Sequence, residues 1–284
     1  MFKVPAKFSS SVSCLLLVCG LTSDAYATTA TELQTWIDSP VRSLENKARD
    51  QYRHPGETLS FMGIKPTMSV LEIWPARGWY TEILAPYLKA KGQLTIANFR
   101  KNDGTIEDEK KQFWARLALK LDQDIGKNPE HFGNVTVLEF DPPGLMGLGN
   151  VNQYDMVLSF RNSHIWNEQG YLLDVFRSFY DVLKPGGTLG LVEHRSSRLS
   201  EISSRAGEGY LDEYYVISVA RQAGFVLEDR SEINANALDS KDYPKGVYAL
   251  PPTLAMGNVD RQKYLNIGES DRMTLRFRKP QTPQ

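Results

Sequence analysis

Cysteine is almost missing from this chain: its 284 residues hold two, Cys14 and Cys19, and none follows them. Everything after position 19 therefore has no disulfide framework, no thiolate metal site and no cysteine nucleophile. Net charge is nearly missing too, with 33 lysines and arginines against 34 acids and a formal value of -1. A general electrostatic grip on nucleic acid is excluded on that balance, and no nucleic-acid partner is expected. Long apolar runs are also absent. The longest, Ser13-Cys14-Leu15-Leu16-Leu17-Val18-Cys19-Gly20-Leu21, falls well short of the roughly 20 residues a membrane-spanning helix needs. Only four histidines are present, His54, His131, His164 and His194, so few groups are suited to proton transfer near neutral pH.

What is present begins with a leader. Lys3 and Lys7 precede the apolar run, and Ala25-Tyr26-Ala27 supplies small residues two apart, the pattern of a cleaved secretory signal. Residues 1–27 are expected to be that signal, which makes the chain exported, periplasmic or secreted, with no membrane span in the mature part. An uncleaved anchor is the competing reading, and a lipoprotein site at Cys19 is disfavoured by the bulk of Val18. Residues 28–65 then read as a helical extension, in which Ser39-Pro40 opens a helix running to about residue 52. Residues 66–279 read as one α/β domain.

Within that domain short apolar strands alternate with helices. Strands are expected at 69–74, 93–98, 135–140, 154–160, 188–193 and 225–233, with a last one at 273–277. The helices between them fall at 80–88, 107–125, 168–183 and 211–223. Alternation of this kind implies βαβ units and a mostly parallel seven-stranded sheet with helices on both faces. Ligands of such sheets lie at the carboxyl ends of the strands, so the residues after each strand carry the candidate chemistry. The connection 234–268 is long and holds Pro244, Pro251 and Pro252, as surface-wrapping or functional loops do.

After the first strand, Glu72-Ile73-Trp74-Pro75-Ala76-Arg77-Gly78 is an acid followed by a tight turn and a helix start. Free N–H groups at such a turn suit a nucleotide-type ligand. Trp74 and Ala76 stand where small glycines are usual. After the fourth strand, Phe160-Arg161-Asn162-Ser163-His164-Ile165-Trp166 gathers a cation, an amide, an imidazole and aromatics. His164 is a candidate general base, and His194, after the fifth strand, is a second. The plainer alternative makes His164 a surface residue packed on Trp166. Two histidines without a clear third ligand do not make a metal site, and none is expected. Asp155 and Lys184-Pro185-Gly186-Gly187 read as strand-capping and turn residues. Asp212 and Glu213 read as acids complementing a helix N-terminus.

Taken together, these motifs resemble class I S-adenosylmethionine (SAM)-dependent methyltransferases, and more narrowly predicted bacterial methyltransferases with an Ile-Trp-Pro form of the first motif. The likeness covers residues 53–279. It rests on Tyr52-Arg53-His54-Pro55, Glu72-Ile73-Trp74-Pro75, Gly78-Trp79-Tyr80-Thr81-Glu82-Ile83, Phe160-Arg161-Asn162, Leu183-Lys184-Pro185-Gly186-Gly187, Ser231-Glu232-Ile233-Asn234 and Ile267-Gly268-Glu269-Ser270-Asp271-Arg272. It implies a Rossmann-like methyltransferase fold with an antiparallel last strand. SAM is the implied cofactor and a small molecule the implied acceptor. Glu72, Trp74, Pro75 and Gly78 would face the methionine part of SAM. Asn98 takes the place of the ribose-binding acid, Asp141 that of the acid at the adenine amino group, and Phe160 lies against the cofactor. Arg161, His164 and His194 are the implied catalytic set. The alternative is an exported binding or accessory protein that keeps this fold without SAM-dependent catalysis.

Overall fold

The computed structural model describes residues 1, 32–197 and 208–281; apart from Met1, the expected signal lies outside the described residues. Seven strands form one sheet: β1 (Ser69–Ile73), β2 (Gln93–Asn98), β3 (Thr136–Glu139), β4 (Tyr154–Phe160), β5 (Leu183–His194), β6 (Val226–Ser231) and β7 (Arg272–Arg278). Their order is β3-β2-β1-β4-β5-β7-β6. β7 runs antiparallel to β5 and β6, whereas β1 to β5 pair in parallel. This is the Rossmann-like, mostly parallel sheet expected. Strand order reverses between β1 and β4, which opens a crevice above their carboxyl ends.

Apolar burial explains the centre of the sheet. β4 is buried at every position but Asp155, as a strand covered on both faces must be. Asp155 instead accepts a hydrogen bond from Ser69 N at 2.8 Å and pairs with Lys184 at 2.7 Å, fastening the start of β1 to β4 and β5. The edge strand β6 is mostly exposed, and its Glu228, Asp229 and Arg230 blunt an edge that would otherwise invite pairing.

Helices cover both faces. On one, α3 (Pro55–Met62) and α4 (Thr81–Leu88) bury Leu59, Met62, Ile83 and Leu84 against the sheet. On the other, α8 (Leu172–Val182) and α9 (Glu213–Gln222) bury Phe176, Phe179, Val216 and Ala220. Asp212 caps α9 by accepting from Tyr215 N at 2.9 Å. The long α5 (Glu109–Lys127) buries Ala115, Ala118 and Leu121, while Phe113 is exposed. Its contact stripe is thus narrower than its apolar content suggests.

One expected helix is broken, and a second starts later than expected. In place of one helix over 39–52 there are two turns, α1 (Leu44–Lys47) and α2 (Asp50–Arg53). Ser43 restarts the chain by capping Asn46 N, and the buried Arg42 ties Ile37 O to the Asp50 carboxylate at 2.7–2.8 Å. The helix expected over 168–183 is α8, starting at Leu172, and a separate α7 (Ser163–Glu168) precedes it, with Gly170 at φ +83° between them. From Ser163 onward, the candidate segment after β4 is helical. A short α6 (Pro129–Phe132) and, inside the long connection, α10 (Arg261–Ile267) complete the helices labelled here. Among the described residues, no helix is long and apolar enough to cross a membrane.

Candidate functional site

The turn after β1 keeps the backbone of a glycine-rich turn with little glycine in it. Trp74, Ala76 and Gly78 all have positive φ, at 45°, 54° and 79°. Two non-glycine residues in this region cost ~1–2 kcal/mol each, so the rest of the fold must hold them there. Gly78 has no substitute: an added Cβ would lie 2.5 Å from Leu121 Cδ1. Glu72 is buried below the turn and accepts a 2.7 Å hydrogen bond from Thr81 Oγ1 at the start of α4. Burial pushes its carboxyl up to about 8, against the lowering effect of that bond, so Glu72 is neutral at pH 7.

A cavity of about 260 Å³ opens beside this turn. One end, toward β2, is aromatic. Phe99 and Trp114 stack there at 5.2 Å between centroids. The Trp74 indole lies 4.8 Å from Phe99 and 5.0 Å from Trp166, and donates to Phe140 O at 2.8 Å. This indole is 5% exposed, so it walls the cavity rather than entering it. The polar groups assigned to a nucleoside are engaged elsewhere. Asn98 donates to Ala76 O at 3.2 Å and accepts from Phe99 N at 2.9 Å. Both Asp141 oxygens receive Lys111 Nζ, at 3.0 and 3.3 Å.

The other end of the cavity lies over β4, β5 and the approach to β7, and it is polar. Asn162 Nδ2 donates to Ile73 O at 2.9 Å, pinning the end of β4 to that of β1. At the start of α7, His164 Nδ1 is 3.0 Å from Glu193 Oε1, and His164 N donates to Glu193 Oε2 at 3.2 Å. Glu193 Oε1 also accepts from His194 N at 2.8 Å. A carboxylate in this role only accepts, so Nδ1 is the donor of that contact and Nε2 is the His164 nitrogen left for proton exchange. That is the arrangement of a general base oriented by an acid. His194 Nδ1 contacts Ser270 Oγ at 2.5 Å. Burial, then the charges of His164, Arg161, Arg272 and Arg53, hold His194 well below its ordinary value, so it is neutral at pH 7.

Donor atoms of His164, Glu193 and His194 lie within 4.8 Å of one another, a spacing that suits a cation. Both Glu193 oxygens already accept from nitrogen, and the nearby guanidinium groups oppose a further positive charge. The cluster is therefore better suited to handling a proton than a metal.

Those guanidiniums centre on Glu269. It receives Arg49 Nε at 2.7 Å, Arg53 Nε at 3.0 Å and Arg272 Nη1 at 3.1 Å. Arg53 also lies over the Trp79 ring at 4.7 Å. Burial alone would raise the Glu269 carboxyl, but Arg53, Arg272, Arg161 and Arg49 hold it far below the usual carboxylate range.

Of the residues singled out from the sequence, Arg161, His164, His194, Glu72, Trp74, Pro75 and Phe160 meet at this cavity. Gly78, Asn98 and Asp141 support its walls from outside. Glu193 was not a candidate, although its place beside His194 at the end of β5 was the available signal. Arg53 and Glu269 lay within quoted motifs without a role, because 216 positions separate them. Tyr248 comes from the long connection, which covers the cavity with Val247 and residues 251–253. His54 is the left-handed residue between α2 and α3.

No family model matches the chain, and no curated protein matches its sequence. Solved structures do match the fold. A SAM-dependent methyltransferase from Aquifex aeolicus superposes with a TM-score of 0.54 at 15% identity, over 88% of this chain and 98% of that one. A sarcosine dimethylglycine methyltransferase from Galdieria sulphuraria, described as putative, gives 0.56 at 13% identity, over 84% and 88%. The [4+2]-cyclase SpnF gives 0.54 at 14%, over 92% and 94%. At such identities the likeness establishes the fold, and the reaction has to be argued from the site.

Proposed function

We propose that this chain is a SAM-dependent methyltransferase acting on a small acceptor. The observation that carries the reading is one cavity that joins an aromatic end, a turn bent as a glycine-rich turn is bent, and an acid-oriented imidazole. SAM would bring an electrophilic methyl group to that cavity. Phe99, Trp114 and the edge of Trp74 would take the nucleoside on their faces, since Asn98 and Asp141 are spent inside the protein. Glu72 would meet the ligand uncharged. His164 Nε2 would take the proton from the acceptor's nucleophile while Glu193 steadies the resulting imidazolium, and most of the remaining advantage would come from holding the acceptor in line.

A second reading is favoured by the same aromatic end. The indole bonded to Phe140 O and the engagement of both nucleoside-type polar groups favour a protein that binds another ligand on this fold without SAM. SpnF, described as a cyclase, has this fold with a different chemistry in its name. Calorimetric titration of the purified mature chain with S-adenosylhomocysteine separates the two. Saturable heat is expected. The absence of heat and of any thermal shift at millimolar ligand would sink the methyltransferase reading.

A further inference from the structure

The least expected group in the cavity is the side chain of Arg161. Its backbone is left-handed, at φ 64°, and is locked there by its N–H donating to Val192 O at 2.7 Å. Backbone strain at a non-glycine residue persists only where the surrounding structure imposes it, and it marks sites where a side chain must be aimed. Among the described residues its guanidinium has no hydrogen-bond or ion-pair partner, although it is only partly exposed and lines the cavity. Arginine offers five donors in a fixed fork that matches a carboxylate or phosphate, and none of the Arg161 nitrogens is sealed from solvent, so a ligand entering the cavity can take them.

The surroundings point the same way. Arg49, Arg53, Arg161 and Arg272 interact with one another's charge around a single buried carboxylate, Glu269. Glu72, facing the same cavity, is neutral at pH 7, and Glu193 is turned onto His164 and His194. Burial first, then Arg49 and Arg272, bring Arg161 down to about 10 despite the pull of Glu269. It therefore stays cationic at neutral pH, in a pocket with surplus positive charge. The seat lies on the β4–β5–β7 side of the turn, across from the aromatic end on the β2 side, so it faces what the His164–Glu193 pair would act on.

We infer that Arg161 is the recognition residue for an anionic ligand, and that the acceptor carries a carboxylate or phosphate beside the nucleophile presented to His164. The word acceptor rests on the methyl-transfer reading; the anion seat does not.

The test uses inorganic phosphate and acetate as probes, titrated calorimetrically into the mature chain at constant ionic strength, with and without saturating S-adenosylhomocysteine. Wild type should bind phosphate, acetate more weakly, and tetramethylammonium not at all. Arg161→Leu should weaken phosphate binding about tenfold or more, Arg161→Lys by less, and neither should change S-adenosylhomocysteine affinity beyond about twofold. A measurement free of variants accompanies it: phosphate should protect Arg161 of the wild type from phenylglyoxal, read by mass spectrometry. The inference is overturned if wild type binds no phosphate, if Arg161→Leu binds it equally, or if Arg161 is unprotected; competition by S-adenosylhomocysteine, which carries a carboxylate of its own, would overturn the assignment of the seat to the acceptor. Arg161-dependent phosphate binding without any S-adenosylhomocysteine binding would retain the anion seat and remove the methyl-transfer reading.

Discussion

Replacing Trp74 tests the physical account of the β1 turn and its ligand together. The indole is 5% exposed and packs on Phe99, Trp166 and Phe140. Removing a buried aromatic of this kind costs ~3–5 kcal/mol. Loss of the bond to Phe140 O adds ~1 kcal/mol and leaves a buried carbonyl unpaired. Against this, φ at position 74 is +45°; glycine takes such a backbone freely, while alanine keeps a strain of ~1–2 kcal/mol. Glycine's wider unfolded ensemble returns ~0.5 kcal/mol of that advantage. Trp74→Gly is therefore expected to lose about 4 kcal/mol, and Trp74→Ala about 1 kcal/mol more. Urea unfolding at constant m measures both. A loss under ~2 kcal/mol for glycine would contradict close packing of the indole. Alanine no worse than glycine would contradict the backbone argument. In the same preparations, S-adenosylhomocysteine affinity should fall about tenfold in Trp74→Gly, since one wall of the aromatic end is removed. A gain in affinity would instead favour the reading in which the indole has displaced the nucleoside.

Glu72→Gln should change how stability depends on pH. The folded carboxyl sits at about 8 against 4.5 for the free group, so its contribution is full below about 4.5 and is lost as pH rises through about 8. Wild type should lose about 1 kcal/mol per pH unit relative to the glutamine variant across that window; parallel denaturation curves at pH 5, 6.5 and 8, taken as representative points, would refute the burial argument. Glu269→Gln works in the opposite sense. Its folded carboxyl is held below the usual range, so the stability it supplies is present above the unfolded value and fades in acid. The variant should be ~3–5 kcal/mol less stable at neutral pH, with the gap closing as pH falls toward 3; a gap that does not vary with pH counts against the arginine cluster as its cause. Asp141→Asn should leave S-adenosylhomocysteine affinity within about twofold of wild type, because Asp141 faces Lys111 rather than the cavity. A tenfold loss in the same titration would return Asp141 to the adenine site.

The architecture was legible because its signals are local. Apolar runs such as 154–160 can only be central strands, and their alternation with helices leaves few topologies. Strand ends alone point to the edge where the cavity opens, which is why the sequence places Arg161, His164 and His194 beside it. The helix expected at 39–52 and the short helix before the one at 168–183 were less legible, since propensity does not register a buried Arg42 that bends the chain or a single glycine at positive φ.

What the sequence by itself determined was therefore a mostly parallel sheet with helices on both faces and the sheet edge at which a cavity opens. Tertiary structure decided which polar groups are free to act there. Asn98 and Asp141 have the right residue types at the right strand ends, yet each is satisfied within the protein. Among the described residues, the Arg161 guanidinium makes no hydrogen bond and no contact ion pair, though it feels the charge of Glu269. Glu193 and His164 meet across 29 positions, and Arg53 and Glu269 across 216. Hydrogen-bond satisfaction is a property of neighbours in space. No spacing along the chain reports which donor or acceptor has already found its partner.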